Sequence, residues 1–216
     1  MRHSDTGHPG SLALHTFSSY LTARTYQQAL TMVRDHKKWM TDPSSRAHSC
    51  YMPLRRGLIR ALNSTDPRQT LQDVVDRVAT RPRPAWMGPV YAQMADNFHQ
   101  LRPTGGTGVP THQAEWVIDG LTLVAKDLLG IRTPQGGLLL VLPHMNKEEL
   151  DREAADLLLG VLSEVVDLVL PGATPEVWDM RRGKRFRLRG NANRTTLRVA
   201  LQGYIAKYQR EWALIA

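Results

Sequence analysis

A proline- and glycine-rich segment in the middle of this chain separates two regions of different hydrophobic periodicity. Residues 103–110 read PTGGTGVP and show neither a helical nor a strand repeat. Before this segment, apolar residues recur at helical spacing, as Leu71, Val74 and Val78 do. After it, short strand-like runs alternate with longer helical patterns. The change predicts an α+β fold, in which a helical N-terminal half is followed by a small mixed sheet flanked by helices.

Four regions follow from these patterns. Residues 1–16 are mostly polar and contain glycine and proline, so they are expected to form a flexible tail. Residues 17–103 are expected to be helical, beginning with one long helix over residues 17–40. Residues 104–114 are predicted to form a Gly/Pro-rich loop. Residues 115–216 are predicted to form an α/β region that ends in a basic hairpin and a helix.

The α/β region contains three clear strand patterns. Residues 115–118 and 121–125 are predicted to form a hairpin across Asp119 and Gly120. The run LLLVL at residues 138–142 is typical of a strand that is buried on both faces.

A helix is expected after the third strand. Asn146 is the predicted N-cap, and Glu149 lies at the position that completes a capping box. The buried stripe of this helix is expected to consist of Leu150, Ala154, Leu157, Val161 and Val165.

The basic residues are concentrated near the C-terminus. Residues 181–210 contain ten basic and no acidic residues, whereas residues 147–179 contain nine acidic and two basic ones. The formal net charge is +8 and the isoelectric point is about 10.0. A basic surface of this kind favours partners with negative charge: nucleic acid, an anionic lipid surface or an acidic protein.

The basic segment is predicted to begin with a β-hairpin over residues 176–189. Strand alternation would place Arg185, Arg187 and Arg189 on one face and the two apolar residues between them on the core. Guanidinium groups ~6–7 Å apart would match the spacing of successive phosphates. The candidate nucleic-acid-binding residues are Arg181, Arg182, Lys184, Arg185, Arg187, Arg189, Arg194 and Arg198.

Other interpretations of this basic segment remain open. In one alternative the arginines are paired internally with the acidic residues 148–156, and in another they protect a solvated edge strand from aggregation. The same surface also suits an adaptor or assembly subunit that docks an acidic partner protein or a second copy of the chain. A second candidate for DNA contact is the helix with Arg55, Arg56 and Arg60, although no helix-turn-helix spacing follows it.

The order helix, three strands, helix, strand over about residues 89–180 resembles the PD-(D/E)XK nuclease-like superfamily. The resemblance implies an acid on the second strand and Glu-x-Lys on the third, which together hold a metal ion and a water. Asp119 or Asp127 would stand for the first acid, but residues 138–142 contain neither carboxylate nor lysine. The resemblance therefore implies a binding-only relative with no catalytic residues, metal or cofactor.

Other signals of chemistry are weak. No nucleotide-binding or nucleophile motif occurs, and His48, Ser49 and Cys50 lack a second close pair of zinc donors. A single cysteine suits a reducing compartment, and no apolar run approaches the ~20 residues of a membrane span. We therefore expect a cytoplasmic, non-catalytic protein that binds nucleic acid and not membranes.

Overall fold

The computed structural model describes residues 9–42, 50–80, 84 and 86–215. Within these ranges the chain has the α+β fold that the sequence predicts. The helices are α1 (Leu14–Leu21), α2 (Tyr26–Thr41), α3 (Met52–Leu62), α4 (Pro67–Ala79), α5 (Met87–Leu101), α6 (Arg152–Val169) and α7 (Arg194–Leu214). The strands are β1 (Ser11–Ala13), β2 (Thr107–Val109), β3 (Ala114–Ile118), β4 (Leu121–Ala125), β5 (Leu129–Arg132), β6 (Leu138–His144), β7 (Ala173–Asp179) and β8 (Lys184–Phe186).

The strands of the described ranges form two sheets. One has three strands in the order β1-β4-β3, and the other has five in the order β2-β5-β6-β7-β8. The predicted hairpin of β3 and β4 is confirmed. In the larger sheet, β6 is antiparallel to β5 and parallel to β7, and the chain passes from β6 to β7 through α6.

β6 contributes to both hydrophobic cores of the protein. Leu139 and Val141 lie in a core with α3, α4 and α5, which we call the α3–α5 core. Leu140 and Leu142 lie in a second core, the α6 core, which also includes residues of α1, α2, α7 and the smaller sheet. All four side chains are buried. The prediction of a strand buried on both faces is therefore confirmed, because successive side chains point to opposite sides of a sheet.

The expected flexible tail over residues 1–16 is wrong for its second half. β1 pairs in parallel with β4, and Leu12 and Leu14 are fully buried in the α6 core. A three-residue strand has little local signal, and its position depends on a partner more than a hundred residues away in the chain. Residues 1–8 lie outside the described residues.

The long helix expected over residues 17–40 is two helices, α1 and α2. The Thr25 hydroxyl accepts a hydrogen bond from the Gln28 N–H, and the Gln28 side chain accepts one from the Thr25 N–H. This capping box starts a new helix, and four residues separate it from the end of α1.

The Gly/Pro-rich segment at residues 104–114 contains a strand, β2, in addition to loop. β2 pairs with β5, and Gly130 allows the close approach of the two strands, while Gly108 leaves room for the Asn63 side chain at the end of α3. A Cβ on Gly130 would lie 2.5 Å from the Val109 carbonyl oxygen, and one on Gly108 would lie 2.5 Å from the Asn63 amide nitrogen. The glycines that suggested a loop therefore allow tight packing.

The capping box expected at Asn146 and Glu149 does not form. α6 is capped by Asp151, whose carboxylate accepts a hydrogen bond of 2.8 Å from the Ala154 N–H. In the preceding segment, the Leu150 N–H donates to the Asp179 carboxylate on β7 at 3.2 Å. The predicted buried stripe is confirmed on the helix from Ala154 to Val165, whereas Leu150 is buried but precedes the helix.

No helix in the described part of the chain is both long enough and apolar enough to cross a lipid bilayer.

Replacement of Leu140 by alanine should lower the free energy of unfolding by about 2–5 kcal/mol, because a fully buried side chain would leave a cavity. Urea denaturation followed by circular dichroism measures the change. Leu168→Ala is the matched control, since Leu168 is exposed on α6 and its loss should change stability by less than ~0.5 kcal/mol. Equal losses of stability in Leu140→Ala and Leu168→Ala would contradict the burial of β6 between the two cores.

The buried His36 should make the free energy of unfolding depend on pH. It is buried on α2 beside Tyr208, with its Nδ1 atom hydrogen-bonded to the Tyr208 hydroxyl, and burial lowers its pKa to about 4. Between about pH 6.5 and about pH 4 the unfolded chain binds a proton at this residue that the folded chain does not. His36 should therefore make the free energy of unfolding fall as the pH is lowered through that window.

Urea denaturation of wild type and His36→Gln at about pH 7 and about pH 5 tests this expectation. The variant should lose less stability than wild type between the two pH values. His112→Gln, at an exposed histidine, serves as the control and should behave like wild type. An unchanged pH dependence in His36→Gln would show that this ring does not titrate on unfolding.

Candidate nucleic-acid interface

The basic hairpin consists of β7 and β8. β8 ends at Phe186 and is thus shorter than the strand expected at residues 185–189. Phe186 and Leu188 pack against the α6 core, which confirms that the apolar residues anchor this ribbon. Arg185 lies opposite Trp178 in the hairpin, with its guanidinium carbon 5.4 Å from the centre of the indole ring.

Arg187 is bound to a buried carboxylate of its own chain. Its Nε and Nη2 atoms lie 2.6 and 2.5 Å from Oε1 of Glu176, which is fully buried. The Trp178 Nε1–H donates to the other oxygen of Glu176 at 2.5 Å. A buried carboxylate needs a counter-charge, so Arg187 serves the fold. The expected free row of Arg185, Arg187 and Arg189 is therefore wrong at its central position.

A second buried carboxylate, Asp179, binds Arg182. Nη1 of Arg182 lies 3.2 Å from Oδ2 of Asp179. The backbone N–H groups of Leu150, Arg181 and Arg182 also donate to this carboxylate, at 3.1–3.2 Å. Asp179 thus connects the hairpin turn to the segment before α6.

Lys184 and Arg181 also have partners within the chain. Nζ of Lys184 lies 2.6 Å from Oε1 of Glu149, and this exposed pair holds the pKa of the Glu149 carboxyl below its usual value. Arg181 donates from Nε to the Met145 carbonyl oxygen at 3.0 Å and from Nη2 to the Tyr51 hydroxyl at 2.7 Å. Internal pairing, one of the alternatives left open by the sequence, thus occurs at part of the hairpin.

Four of the eight candidate residues have no such partner. They are Arg185, Arg189, Arg194 and Arg198, and all four are exposed. In the described ranges, no carboxylate forms an ion pair with any of them. Arg194 and Arg198 lie one turn apart on α7 and border a shallow hollow, together with Glu164. These four guanidinium groups are the part of the predicted interface that remains available to a ligand.

The strands of the nuclease-like order are divided between the two sheets. β3 and β4 belong to the smaller sheet, whereas β2 and β5 precede β6 in the larger one. Asp119, at φ 47°, lies in the β3–β4 turn and accepts a hydrogen bond from Gln202. Asp127, at φ 55°, follows β4. Among the described residues, no cluster of three His, Cys, Asp or Glu side chains has the geometry of a metal site.

His144, at the end of β6, joins that strand to α1. Its Nδ1 lies 2.6 Å from the Ser18 hydroxyl and its Nε2 lies 3.0 Å from the Glu148 carbonyl oxygen. His144 and Ser18 are both buried, and burial lowers the pKa of the histidine. The pair is thus a satisfied structural contact. Of the segment with candidate zinc donors, His48 and Ser49 lie outside the described residues, and Cys50 lies within them.

A cleft of about 500 Å³ that the sequence did not predict lies between α1, α2, α3 and the end of β4. The cleft is lined by His15, Arg55 and Asp127, among others, and Arg55 is only 8% exposed. One signal in the sequence marks the site. Arg55 stands on the same helical stripe as the buried Leu58 and Leu62, three and seven residues further on, where an apolar residue is expected.

No protein-family model, curated protein or solved structure matches this chain. Inferences about its function therefore rest on the chemistry of its surfaces.

Replacement of Arg187 by methionine should lower the free energy of unfolding by about 2–3 kcal/mol, because it leaves the buried Glu176 carboxylate without its counter-charge. Urea denaturation measures the loss. Arg189→Met removes an exposed arginine two residues away and should change stability by less than ~0.5 kcal/mol. If both variants matched wild type, Arg187 would have no structural role.

Proposed function

We propose that this protein binds nucleic acid, without catalysis, through Arg185, Arg189, Arg194 and Arg198. The observation that carries the proposal is that these four guanidinium groups are exposed and form no ion pair within the described part of the chain. Guanidinium groups bind phosphate oxygens through two parallel hydrogen bonds, and such contacts provide most of the affinity of sequence-independent binding.

The internal ion pairs support the choice of these four residues. Glu149, Glu176 and Asp179 are each paired with one basic residue of the hairpin. The charges of these three carboxylates are therefore balanced within the hairpin region, and none of them forms an ion pair with the four remaining arginines. A polyanion would provide the missing counter-charge. The single cysteine, Cys50, is in keeping with a cytoplasmic location for such a protein.

A protein partner is the second candidate. Val199 follows Arg198 on α7 and is 62% exposed, so this surface combines arginine with an accessible apolar side chain. Interfaces between proteins are enriched in arginine and in apolar contacts. The same surface would then bind an acidic protein or a second copy of this chain.

The test of nucleic-acid binding is fluorescence anisotropy with mixed-sequence labelled oligonucleotides at about 50 and 200 mM salt. A variant with Gln at Arg185, Arg189, Arg194 and Arg198 should bind at least about tenfold more weakly at the lower salt. The slope of log affinity against log salt should fall by about 3–4, because each phosphate contact contributes roughly 0.9.

A charge-matched control has Gln at Arg34, Arg68, Arg77 and Arg132, which are exposed elsewhere on the protein. It should retain most of the affinity and the wild-type slope. Equal weakening in both variants would mean that only net charge matters. Salt-sensitive self-association on light scattering, without retention of oligonucleotide, would favour the second candidate. The bound oligonucleotide should remain intact with Mg²⁺ or Mn²⁺, and its cleavage would refute a non-catalytic role.

A further inference from the structure

We propose that the cleft between α1, α2 and α3 binds a small organic anion with an apolar body, and that Arg55 binds its acidic group. The cleft measures about 500 Å³, which is within the range of ~300–1,000 Å³ that is typical of small-molecule sites. The proposal concerns none of the four arginines proposed to bind nucleic acid. Arg55 belongs to the second candidate helix for DNA contact, but its side chain is buried, whereas Arg56 and Arg60 are exposed.

This inference rests on the burial of the Arg55 side chain and on its lack of a hydrogen-bond acceptor at Nε. Arg55 is 8% exposed, and its Nε atom is enclosed without a hydrogen-bond acceptor. No group in the described ranges accepts a hydrogen bond from its guanidinium or forms an ion pair with it. The segment 43–49, which lies next to α3 in the chain, contains no Asp or Glu. A buried charge without a partner is costly, so an external anion would stabilise it.

The other charged groups of the cleft lie in more exposed positions. Asp35, Lys126 and Asp127 are exposed residues at its border, where water weakens their fields. Loss of hydration lowers the pKa of His15 well below its usual value, so its ring is neutral near neutral pH. The charge of Asp127 attracts that of Arg55, but the two side chains do not form an ion pair. Arg55 is therefore the one desolvated charge among the lining residues described.

The remaining wall of the cleft suits an apolar ligand body. Met32, Trp39 and Met52 line it and are each half-buried. An indole ring and two flexible thioether side chains provide apolar surface that can adapt to a ring or an aliphatic chain. Asn146 and Ser19 also line the cleft and add polar atoms to it. The combination fits an aromatic or aliphatic carboxylate, sulfonate or phosphate.

The loop that closes one side of the cleft is held in an unusual backbone conformation. Asp127 has φ 55°, in the left-handed region that residues with a Cβ rarely adopt. The preceding carbonyl, that of Lys126, lies 3.2 Å from Nε2 of His15. α1 thus helps to hold the end of β4 beside Arg55.

The experiment uses two fluorescent probes on the whole chain. 1-Anilinonaphthalene-8-sulfonate has an aromatic body with a sulfonate, and N-phenyl-1-naphthylamine is the same body without the charge. Arg55→Met should weaken binding of the sulfonate at least tenfold and leave the neutral probe unchanged, while Arg55→Lys should give an intermediate loss. Arg56→Met removes a neighbouring exposed charge and should bind both probes like wild type.

Two further measurements test the proposed anion site even if Arg55→Met fails to fold. Wild type should bind the sulfonate with a stoichiometry of one and at least tenfold more tightly than the neutral probe. Equal affinity for both probes would overturn the proposal, as would equal weakening by Arg56→Met. The variant with Gln at Arg185, Arg189, Arg194 and Arg198 should still bind the sulfonate, which separates this site from the proposed nucleic-acid surface.

Discussion

The burial of β6 on both faces is the constraint on which the remaining structure depends. Its alternate leucine and valine side chains need apolar partners on each side, so helices must cover both faces of the larger sheet. α3, α4 and α5 cover one face. α6 covers the other and is itself enclosed by α1, α7 and the smaller sheet. The cleft and the basic hairpin lie at the borders of this arrangement, where the covering elements leave gaps or edges.

A second constraint comes from two carboxylates that are buried on the strand beside β6. Glu176 and Asp179 are both fully enclosed, and each is neutralised by an arginine of the following ribbon. The basic residues of the hairpin therefore have two different roles. Some neutralise buried carboxylates, and others are exposed and form no ion pair in the described part of the chain. The dense run of arginine in the sequence reflects both roles together.

Local sequence patterns predicted much of the fold. They predicted only part of the candidate site. The hairpin of β3 and β4, the buried strand β6 and the stripe of α6 have strong local signals and were predicted correctly. The short strand β1 was missed because its pairing with β4 is distant in sequence. Arg187 was wrongly expected to be free because its partner, Glu176, lies eleven residues away on a neighbouring strand.

By itself, the sequence determined the α+β class, the order of the main elements and the concentration of positive charge near the C-terminus. These properties depend on composition and on periodicities of two and 3.6 residues, which are local. Only the tertiary structure decided which arginines are neutralised internally and that Arg55 is enclosed in a cleft without a partner. Those outcomes depend on burial and on distances between residues far apart in the chain, because the cost of a charge is set by the groups and water around it.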